Sequence, residues 1–262
     1  MTTLIAFGDS HTAGAEIEQR WGQGNIKKAY PAKIANHYGM DYENYGQVGG
    51  SNYWLMKKFM SRVQIGLRRN EKMFMVFGFC EPARNFVSSG RGTLHGTPYL
   101  LGRYQEGVVE ERERVNEKLL RLYEYWLRAH TDEEVHSMSL DIIWQIQCIC
   151  KQYNIPYLFT SATDFYYGDW SNIDPRYYYG HHATNKTIYE PSRPGNVIVR
   201  EQYSYWGVAT NHPDWKHLKD TDRWSMHYPE EYHEYWAGRL IKFIEDQKIL
   251  EGKVDKALQT SL

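Results

Sequence analysis

The stretch Leu4-Ile5-Ala6-Phe7-Gly8-Asp9-Ser10-His11-Thr12-Ala13-Gly14 constrains the fold of this chain more than any other. An apolar run that stops at Gly-Asp-Ser and restarts as small and polar residues predicts a buried strand turning sharply into a helix. Such a turn leaves Ser10 at the carboxyl edge of a sheet. Its hydroxyl then lies beside the unpaired N–H groups of the following helix, where free donors and the helix dipole stabilise a developing oxyanion. Ser10 is therefore the candidate nucleophile, in the manner of a nucleophile elbow with different flanking residues. The plain alternative is a strand-to-helix connection in which Asp9 or Ser10 caps the helix.

At 262 residues the chain has room for one large α/β domain, or for a compact domain with a sizeable insertion, and the second is expected. Its 31 basic and 32 acidic residues leave no net field to recruit nucleic acid or an anionic membrane, and neither is an expected partner. Three cysteines, Cys80, Cys148 and Cys150, are too few and too oddly spaced for a disulfide framework. With no basic and apolar leader and no apolar run of membrane-spanning length, the expectation is a cytoplasmic protein. The unusual quantity is aromatic content, 15% with 22 tyrosines and 9 tryptophans, which calls for stacking on sugars or filling an interface.

Taken in order, residues 29–38 carry a helical pattern with Pro31 in the first turn, and a short strand is expected at 42–45. The glycines of Asn44-Tyr45-Gly46-Gln47-Val48-Gly49-Gly50-Ser51-Asn52 allow a backbone N–H to approach a ligand closely, or simply make a turn before a helix over 52–69. The continuous apolar run 73–77 predicts a central strand buried on both faces. Residues 88–102 are rich in turn formers and read as a loop over the site. Residues 106–128 read as an amphipathic helix, and Thr131-Asp132-Glu133-Glu134 as a capping box opening a second helix that continues to 153. A fourth strand is expected at 157–160. From 161 to 224 the periodicity disappears while aromatic residues crowd in, so the segment is expected to be ordered and to lie over the carboxyl edge of the sheet. It could serve as a substrate wall or as an oligomer or assembly interface.

Near the far end stands Asp222-Arg223-Trp224-Ser225-Met226-His227-Tyr228-Pro229-Glu230-Glu231. Pro229 followed by two glutamates makes a good first helical turn, which puts His227 in the loop just before it, within reach of a nucleophile as its base. Tyr232, Trp236, Leu240, Ile241 and Ile244 recur at helical spacing and predict packing of the last helix on the sheet. Six of the 11 histidines, His181, His182, His212, His217, His227 and His233, fall in the last third. No pair has a tight ligand spacing such as His-Glu-x-x-His, and no metal site is expected.

Gly8-Asp9-Ser10-His11-Thr12 directly after a first strand, the glycine loop from Asn44, and His227 with His233 beside the last helix together resemble the SGNH (GDSL-type) hydrolases. The resemblance implies a three-layer α/β/α, flavodoxin-like fold with a mainly parallel sheet, as one domain over 1–262 carrying the aromatic-rich insertion at 161–224. It implies Ser10 as nucleophile, His227 as general base and Asp222 as the acid. Trp224 stands where the family carries that acid, so a Ser-His dyad, or a histidine oriented by a backbone carbonyl, are the alternatives. The oxyanion donors it implies are the N–H groups of Ser10 and Gly49, with Gly50 as alternate.

The family's third block reads Gly-x-Asn-Asp, and here Cys80, a poor donor, occupies the Asn position. Arg84 and Asn85 in the next loop are the nearest replacements. Asn85 is assigned to the oxyanion hole and Arg84, with Asp9, His11 and Asn52, to substrate binding, while pairing of Arg84 with a carboxylate is an equal alternative. The implied function is a serine esterase or deacetylase acting on a small-molecule or carbohydrate ester, above all an O-acetylated carbohydrate, with no cofactor. The alternative is a catalytically impaired SGNH-like protein with a binding or phage-assembly role. SGNH-like proteins of bacteriophages share the Gly-Asp-Ser-His opening and the His-rich closing, which implies a phage or bacterial source and, if viral, a place in the virion or the host cytoplasm.

Overall fold

The structure, a computed structural model, describes residues 1–15, 17, 25–89, 92–96, 117–162, 170–179, 204–215 and 227–251. Six strands form among them: β1 (Thr3–Gly8), β2 (Asp41–Asn44), β3 (Met73–Phe79), β4 (Asn85–Ser89), β5 (Gly92–Gly96) and β6 (Tyr157–Ser161). Four pair in parallel in the order β2-β1-β3-β6, the doubly wound, flavodoxin-like order expected from the sequence. The central strands β1 and β3 are the two most apolar runs, and parallel strands covered on both faces need such runs.

The two faces of the sheet are distinct. On one, Phe7 stacks on its register partner Phe77 at 5.2 Å and meets Phe59 of the helix Asn52–Arg68 edge-on at 5.9 Å. That helix packs against the helix Asp132–Gln152. On the other, Gly8 and Gly78 lie side by side in register, and the space their missing side chains leave is filled by Thr12 and Tyr30. The helix Tyr30–His37 on this face packs against the last helix, Glu230–Asp246, whose Tyr232, Trp236, Leu240 and Ile244 are buried, with Ile241 partly so. Helices therefore cover both faces, giving the three expected layers.

Local signals explain most of the elements. Pro31 lies in the first turn of the helix Tyr30–His37, where its missing N–H is no loss. Thr131 and Glu134 form the reciprocal capping box read from the sequence, with the Thr131 N–H donating to Glu134 Oε2 at 2.7 Å and the Glu134 N–H to Thr131 Oγ1 at 3.2 Å. Cys148 and Cys150 are both free cysteines within that helix.

One expectation needs correction. Part of the segment read as a loop is a β-hairpin: β4 and β5 pair antiparallel from Asn85–Gly96 to Ser89–Gly92. The helix expected at 106–128 is described only as Glu117–Ala129, and 97–116 lies outside the described residues. The described rings of the aromatic segment are used inside the chain. Trp170, Tyr177, Tyr178, Tyr179 and Tyr205 belong to the hydrophobic core, and Tyr178 bridges to Phe159 in parallel, extending the sheet beyond β6. Burying a tyrosine or tryptophan removes more apolar area from water than most side chains can offer. The insertion residues 163–169, 180–203 and 216–224 lie outside the described residues.

Candidate active site

Three segments converge at the carboxyl edge of β1. Asp9 ends the strand and caps the single helical turn Ser10–Ala13, its Oδ1 accepting the His11 N–H at 3.0 Å. Gly14 closes that turn in the left-handed region, φ 67°, and its Cβ position would meet Asn25 O and the Ala29 Cβ, so glycine is required there. The helix expected to aim a dipole at the site is thus four residues long. A dipole needs several aligned peptides, so any oxyanion here depends on individual donors. The Asp9 carboxylate takes up the His11 N–H, and Ala13 N–H donates to Asp9 O at 3.0 Å. Ser10 N–H takes no part in these bonds. Ser10 itself is 4% exposed.

The second segment is the glycine loop. Gln47 N–H donates to Gly8 O at 3.0 Å, which holds the loop beside the end of β1. Gly50 N–H donates back to Gln47 O at 2.8 Å, closing a four-residue turn with Gly49 third at φ 72°, the position where such turns favour glycine. Gln47 and Gly50 therefore lie beside Gly8, the residue that precedes Asp9. Asn44 braces both segments, its Nδ2 donating to Thr12 O at 2.8 Å and its Oδ1 accepting Gly46 N–H at 2.7 Å.

The third segment is the approach to the last helix. The His227 ring lies 5.1 Å from the His11 ring, centroid to centroid, tilted by 50°. His11 is sandwiched on its other contact by Tyr205 at 4.6 Å. Burial first, then the nearby His227 and Arg84 charges, holds the His11 pKa well below the usual range, so this imidazole is neutral. The structure brings the His11 and His227 rings together, and no hydrogen bond between Ser10 and His227 is found among the described residues. Asp222 lies outside the described residues.

Arg84, 75 positions along the chain from Asp9, reaches the same turn: Nη1 lies 3.1 Å from Asp9 Oδ2. The Asp9 side chain is fully enclosed and that of Arg84 is 8% exposed. Burial raises the Asp9 carboxyl above the ordinary range, and the Arg84 guanidinium opposes it. Asp9, a substrate-binding candidate from the sequence, spends both oxygens on the protein itself.

Asn52, another candidate, is likewise engaged. Its Oδ1 accepts Cys80 N–H at 3.0 Å and faces Cys80 Sγ at 3.3 Å, and its Nδ2 donates to Cys80 O at 3.1 Å and Ser139 Oγ at 3.3 Å. Asn52 thus pins the end of β3, and Cys80 turns to it. Asn85 begins β4 with a half-buried side chain.

His233 was legible only as a second histidine near the last helix. Here Tyr30 N–H donates to its Nδ1 at 3.2 Å and its Nε2 lies 3.0 Å from the Tyr205 hydroxyl. Its place on the apolar stripe of the helix, beside Tyr232 and three before Trp236, is the signal that marks it as enclosed. Among the described residues no group of three or more His, Cys, Asp or Glu side chains is placed to hold a metal ion, and no helix is long and apolar enough to cross a membrane.

No family profile and no curated protein sequence matches the chain. Among solved structures, the chain is similar to one named as a lipolytic protein of the G-D-S-L family from Desulfitobacterium hafniense DCB-2, at 17% identity over 66% of this chain and 83% of that chain, with a TM-score of 0.27. A likeness that low carries no argument here, and the functional reading rests on the site.

Proposed function

We propose that this chain is a serine-dependent carboxylic ester hydrolase. The observation that supports the reading is the junction at the end of β1, where Ser10 follows a capped Asp9 and the His227 ring packs 5.1 Å from the neighbouring His11 ring. In this mechanism Ser10 Oγ attacks the ester carbonyl, its proton passes to His227, and the carbonyl electron pair moves onto oxygen. The N–H groups of Ser10 and Gly49 hold that oxygen. His227 returns the proton to the leaving alcohol, and water releases the acid by the same steps in reverse.

An O-acetyl ester of a carbohydrate is the substrate we propose. Tyr53, 57% exposed in the first turn of the helix that follows the Gly49 turn, offers a flat ring at this edge of the sheet, the kind of surface on which a sugar stacks. The test is turnover of an aryl acetate, followed by acetate release from acetylated sugars and from esters of longer acyl chains. Acetate release from sugars, abolished in Ser10→Ala and His227→Ala, supports the proposal. A folded protein without turnover on any ester contradicts it and favours a binding or assembly role.

A further inference from the structure

Cys80 occupies the position where the family the sequence resembles carries an Asn oxyanion donor, and it is committed to Asn52. The catalytic turn is a single helical turn with little dipole, and two of its amides are spent on Asp9. A hydrolase built this way lacks one strong donor. Arg84, four residues after Cys80, reaches Asp9, the residue that precedes Ser10. Glu81-Pro82-Ala83-Arg84 is a turn closed by Arg84 N–H donating to Glu81 O at 3.1 Å, with Pro82 at the second position, where its fixed φ favours such turns. The buried Tyr123, from the helix Glu117–Ala129, donates its hydroxyl to Ala83 O at 2.8 Å and fixes the turn from behind. Asp9 then orients the guanidinium: one carboxylate oxygen holds Nη1 at 3.1 Å and the other holds the His11 amide at 3.0 Å, so a single carboxylate spans the guanidinium and the backbone next to Ser10. Nη1 is therefore occupied, while Nε is buried and makes no hydrogen bond among the described residues, 3.8 Å from Glu81 Oε2. A planar five-donor group anchored at one edge keeps donors to spare.

We infer that Arg84 is a catalytic residue of the Ser10 site, its guanidinium donating to the oxyanion in place of the missing side-chain amide. The inference rests on Ser10 being the nucleophile. Arg84 loses no proton in the step: the carbonyl electron pair moves to oxygen as the Ser10 bond forms, and a guanidinium N–H donates to that oxygen until the pair returns and the alcohol leaves. Because the Asp9 partner neutralises the cation, the site favours the localised charge of the intermediate and has no reason to select an anionic substrate.

The experiment measures steady-state hydrolysis of an aryl acetate by wild type, Arg84→Ala and Arg84→Lys, with melting curves for each and with guanidinium ion added at sub-denaturing concentration. Expected are falls in kcat and kcat/KM of about a hundredfold in Arg84→Ala with KM unchanged, the pattern of an interaction made only in the transition state. Guanidinium restores a large part of that loss. Arg84→Lys keeps a cation for Asp9, melts like wild type and still loses most of the rate, since a compact ammonium lacks the planar fork that spans two separated partners. Rates within about threefold of wild type in either folded variant, or no recovery with guanidinium, overturn the inference. If Arg84→Ala does not fold, Arg84→Lys alone decides. A wild-type protein that turns over no ester overturns the reading of Ser10 itself, an outcome distinct from an active wild type indifferent to Arg84.

Discussion

Tyr30 N–H donates to His233 Nδ1 at 3.2 Å, and that one bond fixes the tautomer of an imidazole that is 1% exposed. With Nδ1 accepting, Nε2 carries the proton and donates to the Tyr205 hydroxyl, 3.0 Å away. The helix Tyr30–His37, the last helix and the ring packed on His11 are thereby joined through one neutral histidine.

Burial lowers the pKa of His233 from 6.5 to about 3. The unfolded chain protonates this histidine below pH 6.5 and the folded chain does not, so its contribution to stability is complete above 6.5 and is lost progressively as pH falls toward 3. His233→Gln is expected to lower stability at neutral pH by about 1–3 kcal/mol through unpaired partners. Within the window, its dependence on pH is shallower than that of wild type by up to about 1.4 kcal/mol per pH unit. Urea midpoints of both proteins at about pH 6 and about pH 5 measure this, and parallel slopes contradict it.

Gly8 and Gly78 make room for the catalytic turn. A Cβ on Gly78 meets Thr12 Oγ1 and lies 2.7 Å from the Tyr30 hydroxyl, two side chains able to shift, whereas one on Gly8 meets Thr12 and lies 2.8 Å from the Gly78 carbonyl, which is backbone in the central strand. Gly78→Ala should cost about 1–3 kcal/mol and Gly8→Ala more, read from denaturant midpoints. Equal stability of the two variants contradicts the packing described.

Arg62 is a structural counterpart to Arg84. Its side chain is 5% exposed, Nε and Nη2 reach the Glu43 carboxylate at 2.7 and 3.0 Å, and Nη2 also reaches Glu71 at 2.6 Å. Both glutamates are partly in solvent, which discounts the loss, so Arg62→Ala is expected to destabilise by about 1–3 kcal/mol. It should leave ester turnover by the folded fraction unchanged. A selective fall in kcat at full folding contradicts that division of roles.

The three thiols differ in access. Cys80 and Cys150 are buried and Cys148 is half-buried, and burial raises all three thiols above their ordinary pKa. Iodoacetamide is expected to modify Cys148 first, with Cys80 and Cys150 reacting only on unfolding. In Asn52→Ala, which removes the bonds holding Cys80, modification of Cys80 should accelerate at least about tenfold relative to wild type. Peptide mapping by mass spectrometry reads both outcomes.

What could be read from the sequence was whatever is written locally. The run Met73–Phe79, the Thr131–Glu134 box and the stripe Tyr232, Trp236, Leu240, Ile244 each state their structure within a few residues. Ser10, Gly49 and His227 were proposed the same way, and the structure sets the glycine turn beside Gly8 and the His227 ring against His11. The Asp9–Arg84 pair and the Tyr30–His233–Tyr205 chain were not legible, because each joins residues far apart whose meeting depends on the folded layers. The aromatic insertion was opaque for a different reason. Composition reveals that many rings must be covered, and it is silent on whether the cover is a ligand, another chain or, as for Tyr177, Tyr178 and Tyr205, the protein's own core.

The central claim, that Ser10 is a working nucleophile served by His227, is tested most directly by covalent labelling with a serine-directed fluorophosphonate, read by intact-mass and peptide mass spectrometry. One adduct per chain, on Ser10, absent from Ser10→Ala and formed far more slowly in His227→Ala, is the predicted result. A folded wild-type protein that acquires no adduct, or acquires it at another serine, contradicts the account.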